Sequence, residues 1–209
     1  MNLPTAVTVA RIAITPLIAA LPFAPTVSAR VWAFALFLVA ANSDWVDGYL
    51  ARSRKEETDL GKLLDPLADK LLLVGTFVPM YWLARSMPFH TPFGNYGLPM
   101  WVVAIVLGRE VTMTWFRQYA SRRGVIIAAS WPAKWKTSVT AVWQGAAYCW
   151  FWVATLADQK NLALGQYHFW GVVLGLIGAV SMSLAVGLTL YSLFLYVRDY
   201  GKVLGTRPA

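Results

Sequence analysis

Four aspartates, Asp44, Asp47, Asp65 and Asp69, stand at helical spacings and make up four of the ten acidic residues of the chain. Asp44 and Asp47 are three residues apart and Asp65 and Asp69 four apart, so each pair lies on one face of a helix. Both pairs fall where apolar segments meet a short polar connector, Ser53 to Leu60. Unpaired carboxylates this close repel and raise one another's pKa unless a cation keeps them ionised. Four carboxylates with Arg52 beside them suggest oxygen ligands for Mg²⁺ or Mn²⁺ and a phosphate to be bridged. A set of solvated helix-end charges is the plainer alternative.

The full pattern is Asp44-x2-Asp47-Gly48-x2-Ala51-Arg52-x8-Gly61-x3-Asp65-x3-Asp69. It resembles, without a departure, the signature of the CDP-alcohol phosphatidyltransferases, which fixes eight positions over 26 residues. The resemblance implies transfer of a phosphatidyl group from CDP-diacylglycerol to an alcohol, with release of CMP. It assigns Asp44, Asp47, Asp65 and Asp69 to a metal centre of two ions, and Asp69 also to the role of general base. It places Thr8, Arg11, Gly48, Arg52 and Gly61 around CDP-diacylglycerol. It also implies a homodimer.

The elements that must position these groups are apolar. The chain has 209 residues, 58% hydrophobic and 13% charged, with eleven Trp. Such a chain cannot hide its apolar side chains in a core of this size, so lipid is the expected solvent. One domain, residues 1–209, is expected. Cys149 lies in an apolar run and has no partner for an internal disulfide. No zinc-type Cys/His cluster and no Walker or Rossmann glycine loop is present.

Six transmembrane helices are expected in an all-α integral membrane fold. The first runs from Leu3 to Phe23, with Pro22 and Pro25 closing it, and Asn2-x2-Thr5-x2-Thr8-x2-Arg11 sets a polar stripe along it. Arg11 inside a span is costly unless it faces a polar cavity or snorkels to the interface. The second, Val31 to Ala41, continues into the Asp44 motif, and the third is Leu63 to Leu83 with Pro66 in its first turn. Arg85 to Pro99 reads as a Pro/Gly-rich loop. The fourth starts at Met100, the fifth covers Ser138 to Leu156, and the sixth Phe169 to Val197. Gly171-x3-Gly175 and Gly178 make a small-residue face, suited either to packing within the chain or to a dimer seam.

The net charge is +8. With six spans, both termini and the connectors after the second and fourth spans share one side, which carries most of the Lys and Arg. The opposite loops carry Arg30, Arg85 and Lys160. The positive-inside rule puts the motif and both termini on the cytoplasmic face of what is expected to be a bacterial inner membrane. That asymmetry accounts for the basic balance without a nucleic-acid partner.

Arg109, Lys134 and Lys136 are cations on the motif's side and suggest an acceptor that carries a phosphate. Ordinary lipid-headgroup contacts are the alternative for these and for Arg117, Arg122 and Arg123. Gly108-Arg109-Glu110 and Lys134-x-Lys136-Thr137 resemble the phosphatidylglycerophosphate synthase branch, which implies glycerol 3-phosphate as acceptor. Ala133 stands where that branch commonly has Gly, and the first Gln after Thr137 is Gln144, later than usual. Other readings are the same chemistry with serine or inositol phosphate, a membrane prenyltransferase, or a cation transporter.

Overall fold

The computed structural model describes residues 3–54, 59–123, 131–160 and 164–205, with side chains described outside 1–4, 44–60, 62–63, 124–130, 134, 161–167 and 201–209. The described chain is α-helical apart from one short hairpin. The helices are α1 (Leu3–Ala20), α2 (Val27–Arg54), α3 (Asp59–Ser86), α4 (Met100–Ser121), α5 (Trp131–Gln159) and α6 (Leu164–Gly205). Among the described residues, three stretches are long and apolar enough to cross a membrane: Thr5–Phe23, Leu64–Ser86 and His168–Tyr200. Val27–Ser43 is a shorter apolar helix. An all-α integral membrane protein accounts for these lengths. The chain divides into two compact units, one of residues 1–98 and 144–178, the other of residues 99–143 and 179–209.

In the first unit α1 packs against both α2 and α3. Its end is set by proline, as expected: α1 stops at Ala20 and a 3₁₀ turn, Leu21–Phe23, carries Pro22. Helix α2 is unbroken from Val27 through the Asp44 motif to Arg54, so the three-residue spacing of Asp44 and Asp47 is a helical one. Helix α3 starts at Asp59, earlier than the apolar pattern suggests, and this puts Pro66 in its interior instead of its first turn. Residues 59–62, which include the charged Asp59 and Lys62, extend the helix beyond the apolar run, a length that hydropathy alone does not register.

Aromatic and polar contacts tie the residues of α5 in this unit to α1, α2 and α3. Phe37 stacks on Tyr148 with ring centroids 5.4 Å apart, and the Tyr148 hydroxyl donates to the carbonyl of Ile18. Gln144 Nε2 donates to Thr76 Oγ1 at 2.6 Å, both side chains being buried. Arg30, which reads from sequence as a loop cation, is buried. Its Nε donates to the Pro22 carbonyl at 3.0 Å, and its Nη1 to the Phe151 carbonyl and to Thr155 Oγ1. A guanidinium spread over carbonyl and hydroxyl oxygens satisfies its donors without a carboxylate.

The segment read as a loop contains a two-stranded antiparallel hairpin, β1 (Phe89–Thr91) and β2 (Gly94–Tyr96), in which Phe89 faces Tyr96. Gly94 has φ +124°, a conformation open to glycine and strained for other residues. The glycine face of α6 is the seat of this hairpin. A Cβ at Gly175 would lie 1.6 Å from the His90 carbonyl oxygen, and one at Gly178 2.9 Å from the Tyr96 hydroxyl. The Tyr96 hydroxyl donates to the Gly175 carbonyl at 2.9 Å, and burial pushes its pKa up to about 12. Of the two roles open to Gly171, Gly175 and Gly178, contact within the chain is the one observed.

Gly175→Ala should therefore destabilise the protein by about 1–3 kcal/mol through overpacking. Gly187→Ala, where a Cβ meets open space, should be neutral or slightly stabilising. Thermal unfolding in detergent compares the two; equal stability would show that the hairpin does not need this glycine.

Candidate active site

The α1/α3 seam builds the first cluster. Thr5, Thr8, Arg11 and Thr15 are all buried, so the polar stripe along α1 faces inward. Thr8 Oγ1 donates to Asp65 Oδ1 at 2.7 Å. One turn on, Arg11 Nη1 pairs with Asp69 Oδ1 at 3.0 Å. The Arg11 Nε donates to Ser43 Oγ at 3.0 Å, and Ser43 donates in turn to the Ala40 carbonyl. Arg11 is thus held between α3 and the residue just before Asp44 on α2. Its side chain is 1% exposed, which rules out snorkelling, whereas that of Asp69 is 57% exposed. The buried cation fixes one oxygen of a carboxylate that reaches an open surface.

Thr8, Arg11, Asp65 and Asp69 are therefore brought together, with Gly61 one turn before Asp65 on α3. Asp44, Asp47, Gly48 and Arg52 lie on α2, but their side chains and surroundings are outside the described residues, as is the Lys134 side chain. Among the described residues no group of three or more His, Cys, Asp or Glu comes together. The donor chemistry of the described half still fits a hard divalent ion: two exposed carboxylates one helical turn apart, oriented by neighbouring donors, with no nitrogen or sulfur ligand. Ser43 carries no signal in the sequence beyond its place next to Asp44.

A second cluster lies within the other unit. Arg109 and Lys136 are both buried, and both bond to Glu110 Oε1, Arg109 at 2.9 Å. Arg109 Nη2 donates to the fully buried Ser192 Oγ at 3.1 Å, and the guanidinium lies 5.9 Å from the Tyr196 ring. Arg117 Nη2 donates to the Tyr196 hydroxyl at 3.3 Å. Arg109 Nε is buried with no hydrogen-bond partner. The polar side chains stand beside a core of Met113, Phe116 and Tyr196, against which Ala133 and Leu193 pack. That packing holds the start of α5 to the end of α4. Two buried cations share one carboxylate, so the site is short of negative charge, and buried cations stay so only where an anion can reach them. Sequence reasoning named Arg109 and Lys136 here and quoted Glu110 beside Arg109 without giving it a role, and it missed Ser192 and Tyr196. Glu110 is the single acidic residue of α4 and could have been singled out on that ground.

Comparison with known proteins gives a family match over residues 1–191, to the family described as CDP-alcohol phosphatidyltransferase. A CDP-diacylglycerol–glycerol-3-phosphate 3-phosphatidyltransferase of Pseudomonas fluorescens is 30% identical, across 95% of this chain and 89% of its own length. Enzyme 1 of the same name from Arabidopsis thaliana, chloroplastic/mitochondrial, is 30% identical across 98% of this chain, which spans 64% of that relative's length. A cardiolipin synthase (CMP-forming) of Oryza sativa subsp. japonica is 29% identical across 98% of this chain and 59% of its own length.

The α1/α3 seam gives a direct test. Arg11→Met removes the cation between Ser43 and Asp69 and should cost about 1.5–3 kcal/mol. Arg85→Met, at an exposed residue lying over Tyr81 and Trp82, should stay within about 0.5 kcal/mol. Thermal unfolding of both variants in detergent decides, and an Arg11→Met protein as stable as Arg85→Met would contradict the assignment.

Proposed function

The chain belongs to the CDP-alcohol phosphatidyltransferase family, and on that premise we propose that it transfers a phosphatidyl group from CDP-diacylglycerol to glycerol 3-phosphate. The products are phosphatidylglycerophosphate and CMP, so the enzyme serves phospholipid biosynthesis. The observation that carries this reading is the α1/α3 seam, where Thr8 and Arg11 hold Asp65 and Asp69 at the spacing of the family motif. Relatives named for the same reaction support the acceptor. The surplus of buried positive charge around Arg109 supports an acceptor that is itself a phosphate.

In the reaction an acceptor hydroxyl oxygen attacks the phosphorus that bears diacylglycerol. The bond from that phosphorus to the bridging oxygen breaks, CMP leaves with the electron pair, and the hydroxyl proton passes to Asp69. Mg²⁺ or Mn²⁺, two ions held by Asp44, Asp47, Asp65 and Asp69, would supply charge neutralisation at the pyrophosphate. Arg11 and Thr8 orient Asp69 and Asp65 and, with Gly48, Arg52 and Gly61, form the surroundings of the nucleotide. Arg109, Lys134 and Lys136 hold the acceptor's phosphate. Six membrane crossings, with both termini and the motif at the cytoplasmic face of a bacterial inner membrane, suit a reaction between a lipid and a water-soluble acceptor. A homodimer is part of the same reading.

A second reading keeps the chemistry and changes the acceptor; the relative named cardiolipin synthase is the observation behind it. Metal removal and the carboxylates test the shared chemistry. Chelation with EDTA should abolish CMP release and added Mg²⁺ restore it. Asp69→Asn should lower turnover at least ~10²-fold while the protein still inserts and folds. Retained turnover in Asp69→Asn, or in the chelated enzyme, would refute the proposed roles.

A further inference from the structure

Within the second cluster, Glu110 stands where an acceptor's phosphate would have to bind. Its Oε1 takes both Arg109 Nη1 and Lys136 Nζ, so one carboxylate oxygen occupies donors from two helices. Those two cations are the inner members, with side chains 5% and 8% exposed, and Glu110 is the outer one at 25%. Ser192 fixes Arg109 from behind through Nη2, and Arg109 Nε is left buried without a partner. Arg109 is therefore anchored independently of Glu110, Lys136 bonds to Glu110 itself, and Glu110 is the member of the three nearest solvent. A carboxylate there has a chemical consequence. The product keeps the phosphomonoester of the acceptor, so a site that grips that group grips substrate and product alike, and such uniform binding slows release without speeding the chemical step.

We propose that Glu110 is a resident counter-anion. It holds Arg109 and Lys136 when no acceptor is bound, shares or yields them when a phosphate monoester arrives, and weakens the grip enough for product to leave. This inference rests on the acceptor reading given above. It differs in sign from a positioning role. If Glu110 merely holds the two cations in place, its loss weakens anion binding. If it competes with the anion, its loss strengthens that binding, because a nearby negative charge has been removed.

The test uses the full chain in detergent with CDP-diacylglycerol and Mg²⁺, and inorganic phosphate as the competing anion. Glu110→Gln should lower the KM for glycerol 3-phosphate and the inhibition constant of inorganic phosphate about tenfold each, one pKa-sized step in free energy. Turnover should fall as product release becomes limiting. An unchanged KM for CDP-diacylglycerol shows that the variant is folded. Glu110→Asp, which keeps the charge but draws it back from Lys136, should move both constants the same way by two- to threefold, and it decides the matter if Glu110→Gln does not fold. Constants that rise or stay put in the folded variant overturn the counter-anion role. Lys136→Met separates this from the acceptor reading: it should raise both constants, and if it leaves them unchanged while CMP is still released, the acceptor assignment itself fails.

Discussion

A guanidinium inside an apolar helix bundle must have its donors satisfied there, by a carboxylate or by neutral oxygens, because desolvation otherwise outweighs everything its neighbours gain. Arg11 is that group in this protein, and its needs set the register of the first unit. Thr8 meets Asp65, Arg11 meets Asp69, and Thr15 meets Gly75, so the partners advance in the same direction along α1 and α3. The two helices are parallel along this seam and locked at successive turns. Ser43 extends the lock to α2. Slipping any one of these helices by a residue would strand a buried cation, which is why the carboxylates of α3 have a defined place even though their outer faces are open. In energetic terms the chemistry-bearing groups are exposed and their supports are buried.

The same rule is met elsewhere with different partners. Arg30 finds carbonyl oxygens of Pro22 and Phe151 and the Thr155 hydroxyl. Gln144 and Thr76 satisfy one another. Arg109 and Lys136 share Glu110, and here the balance is incomplete, with cations in excess and Arg109 Nε unmatched. A chain in lipid has no water to complete such a set, so polar groups buried in it are either structural and closed, like Arg30, or open toward a ligand. That difference separates a clamp from a binding site among residues of one type.

Much of this was legible before any coordinates, because helical spacing is a strong constraint on short polar motifs. The step of three marked one polar face of α1, which is buried at Thr5, Thr8 and Arg11, and the step of four from Asp65 to Asp69 matched its partners on α1. Where the reading stopped short, the cause was a contact distant in sequence. Nothing local tells that the Pro- and Gly-rich stretch after Arg85 folds into a hairpin, since its seat is the glycine face of α6 some eighty residues on. Arg30 reads as a surface charge because its acceptors are backbone oxygens, which every sequence has. Hydropathy missed the outer turns of α3, whose polar residues extend a helix without deepening its apolar run, and so misplaced Pro66. Glu110 was quoted beside Arg109 but given no role, because its second partner, Lys136, lies 26 residues away.

The measurement that bears most directly on the account is an acceptor panel with the purified chain, Mg²⁺ and CDP-diacylglycerol. Glycerol 3-phosphate, inositol 1-phosphate, serine and phosphatidylglycerol are offered one at a time, and both CMP and the lipid product are followed. CMP release and a new phosphomonoester lipid with glycerol 3-phosphate alone is the predicted result. Release with another acceptor would keep the carboxylate chemistry and contradict the role given to Arg109, Lys134 and Lys136, and no release with any acceptor from folded protein would contradict the account as a whole.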